Sequence, residues 1–406
     1  MKKLLEISLG VVTSIGGFLE MGEMSTAAQA GAAFNVQLVW AVVLGTICVA
    51  FLVEMAGRFS AVSGHTIIDG IRDRFGIKVL AWPLVTTVLV SLLVLSAEIG
   101  GVSIALEFAT GITYRWWAVP VAVASWLFLW RGTFGMLEKG VTSLGLITLC
   151  FVVAAFRLQP DWAQVAASAI PSKPHTQAAT YWFMAASILG ASLSPTLFLF
   201  YSSGAIEDRW DRSYVGANRA IAALGMTFGG VISAAVLVVA AQSMHAHGIE
   251  SIEDFHQLPL LLIDTFGMWG FALFAASLAI ASFGAAVEVA LLQGYLFAQS
   301  FGWNWGQDCP PRANPGFSLA YTCALVIGAI PIAAGADPLK LTILSMALTA
   351  VNLPLMVVPF IVLMNDEHYM GEHRNGPVSN AAVLGITGLA FVLGVVTLPL
   401  QIIGGT

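Results

Sequence analysis

Long apolar runs separated by short polar ones dominate the chain, and their lengths predict helices that cross a bilayer. About eleven runs approach the roughly 20 residues needed to span the hydrocarbon core. They are Leu9–Phe34, Val36–Val53, Val79–Phe108, Trp116–Trp130, Phe134–Phe156, Ala178–Tyr201, Ala220–Ala241, Leu262–Phe297, Phe317–Ala333, Pro338–Leu363 and Ala381–Ile403. The fourth is short, and the eighth is long enough to tilt or to extend beyond the bilayer. With no water in the hydrocarbon, backbone groups must be satisfied inside each segment, so helices are expected throughout. Met1-Lys2-Lys3 ahead of an apolar stretch has the look of a signal peptide. That stretch runs into Glu20 and Glu23 without a small-residue cleavage site, and it reads as a retained first helix.

Two runs are interrupted. The first carries Leu19-Glu20-Met21-Gly22-Glu23, and the sixth carries Gly190-Ala191-Ser192-Leu193-Ser194-Pro195-Thr196. Gly22 relaxes the backbone and Pro195 removes a helix donor, so both helices are expected to open at mid-membrane. The breaks fall in the first helix of each successive set of five. Paired interruptions in corresponding positions point to an inverted-repeat transporter with its site at the repeat interface. Residues 1–157 would form the first five-helix repeat, 178–363 the second, and 381–403 an extra helix, all within one membrane domain.

Composition agrees with the pattern. The 406 residues are 58% hydrophobic and 10% charged, against roughly 25% charged in a soluble domain. The net charge of −6 is diffuse and implies no nucleic-acid partner. Cys48, Cys150 and Cys323 lie in apolar runs and Cys309 in a loop, which is neither a disulfide framework nor a metal knuckle. With the N-terminus placed in the cytoplasm, inside segments hold Lys2, Lys3, Arg58, Arg72, Arg74, Lys78, Arg131, Lys139, Arg209, Arg212, Arg219, Arg312 and Arg374. Outside segments hold Arg115, Arg157, Lys173 and Lys340. The 13-to-4 division accounts for all 17 Lys and Arg. It supports the helix count and a multi-pass protein of the cell membrane with its C-terminus outside. Trp116, Trp117, Trp303 and Trp305 suit interface anchors.

The acids at the first break are expensive. A carboxylate at the bilayer centre costs roughly 2.5–3.5 kcal/mol on insertion scales. Two of them three residues apart also repel one another. A bound dication relieves both costs, and carboxylate oxygens suit Mg²⁺, Mn²⁺ or Ca²⁺. The alternative is one buried, protonated packing residue and one acid facing a water cavity.

Several segments carry a family resemblance that covers nearly all of the chain. Gln29-Ala30-Gly31-Ala32-Ala33-Phe34 resembles the end of the first helix of the NRAMP metal transporters. Ala97-Glu98-Ile99-Gly100 with Ile104-Ala105-Leu106 is similar to their third helix, and Arg157-Leu158-Gln159-Pro160-Asp161-Trp162 to the exit of their fifth. Leu353-Pro354, Met356 to Pro359, Met370-Gly371-Glu372 and Arg374-Asn375 resemble the tenth helix and the loop after it. The resemblance implies a leucine-transporter-like fold and alternating access to a metal site between the first and sixth helices. It implies no cofactor beyond the transported ion, no enzymatic activity, and a monomer in the bilayer.

The site departs from the family pattern. Where NRAMP members carry Asp-Pro-Gly-Asn, this chain has Glu20-Met21-Gly22-Glu23. Where they carry Met-Pro-His, it has Ser194-Pro195-Thr196. A soft sulfur gives way to a hydroxyl and an amide to a second carboxylate, which shifts the expected ion toward Mg²⁺ or Mn²⁺. Loss of the sixth-helix Met is similar to the NRAMP-related magnesium transporters. Met21 falls on the Pro position and is not expected to restore a thioether ligand. The expected metal set is Glu20, Glu23, Ser194, Thr196, Asn352, Gly17 and Ala191. Asn352 matches an amide position of the tenth helix, while Met346 stands at the upstream amide position.

Coupling has two readings. The family's proton route uses a sixth-helix histidine, here Thr196 with Tyr201 further on, and acid–base pairs between the third and ninth helices. The ninth run contains no Arg or Lys, although Glu98 persists in the third. Transport is either passive, or the Glu20–Glu23 pair releases a proton when metal binds. Glu98 and Glu288 are the candidate proton or vestibule acids. Glu288 equally suits a helix–helix contact with a hydroxyl, and Glu107, near the end of the third run, equally suits a solvated position. Glu54 is expected to face Arg58 at i,i+4. His245, His247 and His256 with Glu250, Glu253 and Asp254 form either a metal-collecting patch or, on balance, a solvated loop.

Other function classes fit less well. A carrier of a small organic cation would use the same fold, whereas a Glu pair disfavours an amino-acid substrate. A sensor would need a signalling domain. An enzyme would need a nucleophile elbow, HExxH or phosphate loop, none of which occurs.

Overall fold

The computed structural model describes residues 20–136, 146–174 and 177–404, and every regular element among them is a helix. Eight stretches among the described residues are long and apolar enough to cross a membrane. One of them, Met21–Ser63, is interrupted. Helix α1 (Met21–Phe34) ends at Asn35, whose φ of 54° stops the helix and whose side chain accepts the Val36 N–H at 2.8 Å. Helix α2 (Val39–Ser63) follows a short turn. The fourth run forms α5 (Tyr114–Arg131), and the described end of the fifth forms α6 (Leu149–Arg157).

Between these lie α3 (Ile67–Phe75), an amphipathic helix capped by Thr66, and α4 (Ile77–Thr110). A short α7 (Trp162–Ala167) is capped by Asp161. The second half of the chain contains α8 (Ala178–Ser192), α9 (Pro195–Glu207) and α10 (Val215–Ser243). After these come α11 (Leu260–Phe266), α12 (Met268–Phe301), α13 (Pro315–Ala333) and α14 (Pro338–Asn365). The four-residue α15 (Glu367–Met370) precedes α16 (Pro377–Gly404).

Two expectations need correcting. The eighth run starts too early: Gly267, at φ 59°, separates α11 from α12, while α12 itself runs for 34 residues, long enough to tilt or extend beyond the bilayer as expected. Gly22 is not where the first helix opens. Glu20 is extended (φ −103°, ψ 170°) and Gly22 already lies in the first helical turn. Its missing side chain serves packing, because a Cβ there would come within 2.2 Å of the Met346 Cε.

α1 lies at the centre of the bundle, packed by α10, α8, α14, α4 and α12, and nearly every residue of it is buried. Its small residues explain the fit. Gly31 lets α1 approach the Leu237 carbonyl of α10, and Gly190 lets α8 approach the Met346 carbonyl of α14. Between apolar helices in lipid, association depends on such close backbone approach.

Candidate functional site

The two breaks meet. Helix α1 begins beside Glu20, so its first N–H groups lack intrahelical partners and carry the positive end of the helix dipole. The buried Glu98 of α4 answers this end, its Oε2 accepting the Met21 N–H at 3.3 Å. In the sixth run, α8 stops at Ser192, Ser194 is extended (φ −53°, ψ 125°), and Pro195 opens α9 at a position where a missing N–H costs nothing. The last carbonyls of α8 are left without helical partners and present the negative end of its dipole.

Between the breaks lies a cavity of about 10 Å³ lined by Glu20, Ala191, Ser194, Thr196 and, from α12, Glu288, with Ser192 and apolar side chains completing it. Ser194 Oγ and Thr196 Oγ1 are 2.6 Å apart. Glu20 Oε1 is buried with no hydrogen-bond partner. Glu20 is also within electrostatic range of Glu23, Glu98 and Glu288. Every polar side-chain atom among the lining residues is an oxygen, the donor type of hard dications. Among the described residues no three His, Cys, Asp or Glu side chains converge as a ready-made ligand set. An ion here would therefore draw on hydroxyls and carbonyls as well as carboxylates.

Of the other expected residues, Glu23 is tied to the cavity wall through Ser192, whereas Asn352 is not among the lining residues. Glu23 turns toward α8 and α10, accepting Ser192 Oγ at 3.1 Å and Ser233 Oγ at 2.6 Å. Asn352 donates from Nδ2 to Thr87 Oγ1 at 3.0 Å, and its buried Oδ1 has no partner. Gly17 lies outside the described residues. The Met21 sulfur faces Gly101 of α4, 2.4 Å from where a Cβ would stand, so this thioether packs between helices. Tyr201 donates to Asn218 Oδ1 at 3.0 Å.

Sequence reasoning passed over two hydroxyls. Ser192 lay inside the quoted break without a role, and it joins Glu23 to the cavity wall. Ser233 is one of two hydroxyl residues, with Thr227, in the apolar seventh run. A mid-span polar residue needs a partner in lipid, and that signal could have found it.

Away from the site, Glu54 and Arg58 pair at 2.9 Å as the i,i+4 spacing suggested. Glu107 accepts the Tyr114 N–H at 3.0 Å and so serves the start of α5. The three loop histidines go to separate partners: His245 to the Ala32 carbonyl, His247 to the Ser243 carbonyl and His256 to Asp254.

Comparison with known proteins places this arrangement. The family model described as natural resistance-associated macrophage protein-like (Nramp) matches residues 10–399. A crystal structure of the Eremococcus coleocola manganese transporter, bound to an aromatic bis-isothiourea compound, superposes with a TM-score of 0.78 at 19% identity. The match covers 98% of this chain and 87% of that one. MhsT in complex with L-phenylalanine matches at TM-score 0.61 and 15% identity, over 96% of this chain and 98% of that one. The nucleobase-cation-symport-1 family transporter MHP1 matches at 0.59 and 14%, over 96% and 91%. The shared fold is the leucine-transporter-like one, with broken helices at α1 and at α8–α9.

Proposed function

This chain belongs to the Nramp family, and from that premise we propose that it carries Mg²⁺ or Mn²⁺ through the cavity between α1 and the α8–α9 break by alternating access. The family makes it a multi-pass membrane transporter of divalent metal ions and not an enzyme, with the ion as substrate rather than cofactor. The observation that carries the finer reading is Glu20, with one buried, unpartnered carboxylate oxygen, lining a cavity of about 10 Å³ together with Ser194, Thr196 and Glu288. That volume takes about one water-sized sphere. It suits a bare ion held by protein oxygens and excludes an organic cation from this conformation. Glu20 and Glu288 supply charge, and Ser194, Thr196 and the Ala191 carbonyl supply neutral oxygens. Glu23 acts as a positioning residue that holds Ser192 against the cavity. Glu98 holds the start of α1, and Asn352, with its free Oδ1, stands by as an outer acceptor.

Alternating access would move the two five-helix repeats, residues 1–157 and 178–363, about this fixed site. The protein would work as a monomer in the cell membrane with its N-terminus in the cytoplasm. Titration calorimetry of the purified protein with Mg²⁺, Mn²⁺, Ca²⁺ and Cd²⁺ tests the ion assignment. Mg²⁺ or Mn²⁺ is expected to bind most tightly, and Glu288→Gln to weaken it by about tenfold, or ~1.4 kcal/mol. Cd²⁺ binding tightest would mean that a sulfur ligand governs the site and would reject the oxygen set.

A further inference from the structure

A second polar cavity lies at the opposite extreme of the bundle's chemistry. It has a volume of about 370 Å³ and is lined by Ala50, Phe51, Glu54 and Arg58 of α2, Arg219 and Ala223 of α10, and Arg374, Gly376 and Ser379 at the entrance to α16. Three arginines against one glutamate leave a surplus of two positive charges among the lining residues.

The arginines are not equivalent. Arg58 is committed: it forms a two-pronged pair with Glu54 at 2.9 and 3.0 Å and donates to Asn375 Oδ1 at 2.7 Å and to the His373 carbonyl. Glu54 is thereby neutralised. The side chain of Arg219 is 72% exposed and reaches Glu54 only at 3.9 Å. Arg374 is half exposed, with its nearest acid, the exposed Glu367, 3.6 Å away. Arg374 also donates from Nε to the Gly371 carbonyl at 3.1 Å, so Arg219 and the remaining Arg374 donors are what the cavity's lining has to spare.

The cavity is also graded along the axes of α2 and α10. Arg58, Arg219 and Arg374 lie at the ends of their helices or in the adjoining loop. Phe51 lies seven residues deeper in α2 and Ala223 four residues deeper in α10. At 1.5 Å per residue the polar mouth thus gives way to an apolar wall over roughly 6–10 Å. The N-terminus of α16, opened by Pro377, adds the positive end of a helix dipole at the mouth.

We propose that this cavity binds a phosphate-bearing anion, namely the headgroup of an anionic phospholipid, with Arg219 and Arg374 on the phosphate and an acyl chain along Phe51 and Ala223. A free phosphate would satisfy the guanidinium groups and leave the apolar wall in contact with water. A phosphodiester headgroup at the leaflet boundary satisfies both. Basic pockets between helices at the membrane surface bind such lipids through this division of labour.

Native mass spectrometry of the full-length purified protein tests it, with cardiolipin, phosphatidylglycerol and phosphatidylcholine added in turn and inorganic phosphate as a competitor. Wild type is expected to retain the anionic lipids over phosphatidylcholine. The Arg219→Gln/Arg374→Gln double variant is expected to lose that retention by roughly tenfold or more. Arg312→Gln, an exposed arginine in another loop, is expected to keep it. Equal retention by wild type and the double variant would overturn the site. Displacement of the lipid by millimolar inorganic phosphate would overturn the lipid as its occupant.

Discussion

Glu20 and Glu23 look alike in the sequence and differ in the structure. Glu20 precedes the helix and is extended, so the three-residue spacing that puts two side chains on one helical face does not apply to the pair. Glu20 lines the cavity with one oxygen unpartnered, while Glu23 is held by Ser192 and Ser233. Glu20→Gln is therefore expected to weaken Mn²⁺ or Mg²⁺ binding by at least about tenfold. Glu23→Gln, whose amide oxygen still accepts from a serine, should cost less affinity. Ser233→Ala strips Glu23 of its shortest hydrogen bond and should lower stability by about 1–3 kcal/mol. Calorimetry on folded protein separates the first two, and an equal loss from both would make Glu23 a direct ligand. The candidacy of Glu20, Ser194, Thr196 and Glu288 was legible because charge and hydroxyls stand out in apolar runs. The direction of Glu23 was not, since it depends on where the helix starts and on serines from two distant helices.

At the level of helices, the breaks followed from local chemistry and the crossings did not. Pro195 marks the start of α9, as a residue without an N–H should. Gly22 was read as a hinge and is instead a contact surface for Met346, since glycine serves close approach as readily as flexibility. Gly190 makes the more demanding contact, because an added Cβ would stand 2.0 Å from the Met346 carbonyl oxygen, a backbone atom that cannot rotate away. Gly190→Ala should therefore push α8 off α14 and cost roughly 1–3 kcal/mol, read as a lower unfolding midpoint in detergent. Gly216→Ala in α10, where nothing lies within 4 Å of the added carbon, should be neutral or slightly stabilising. If both variants melt like wild type, the α8–α14 crossing is looser than described.

For the whole molecule, hydropathy and the 13-to-4 division of basic residues outlined the helices and proposed their orientation. The break between α1 and α2 was legible at Asn35, which divides the first two apolar runs and ends α1 in the structure. The orientation has a direct test in Cys309, which is exposed in the loop before α13. With the N-terminus in the cytoplasm, a membrane-impermeant thiol reagent should reach Cys309 only after the cells are permeabilised. Labelling of Cys309 in intact cells would invert the topology. Coupling is a property of the complete cycle: if the carboxylates shed protons to the loading side when metal binds and take protons up where it leaves, uptake makes the receiving compartment more alkaline, and if transport is passive it does not. The central claim is that this fold moves a hard dication through a carboxylate-lined cavity. Uptake of Mg²⁺ and Mn²⁺ into liposomes containing the purified protein, compared between wild type and Glu20→Gln, tests it most directly. Wild type is expected to show saturable uptake of at least one of the two ions, and the folded variant to lose it. Uptake of neither, or uptake indifferent to Glu20→Gln, would contradict it.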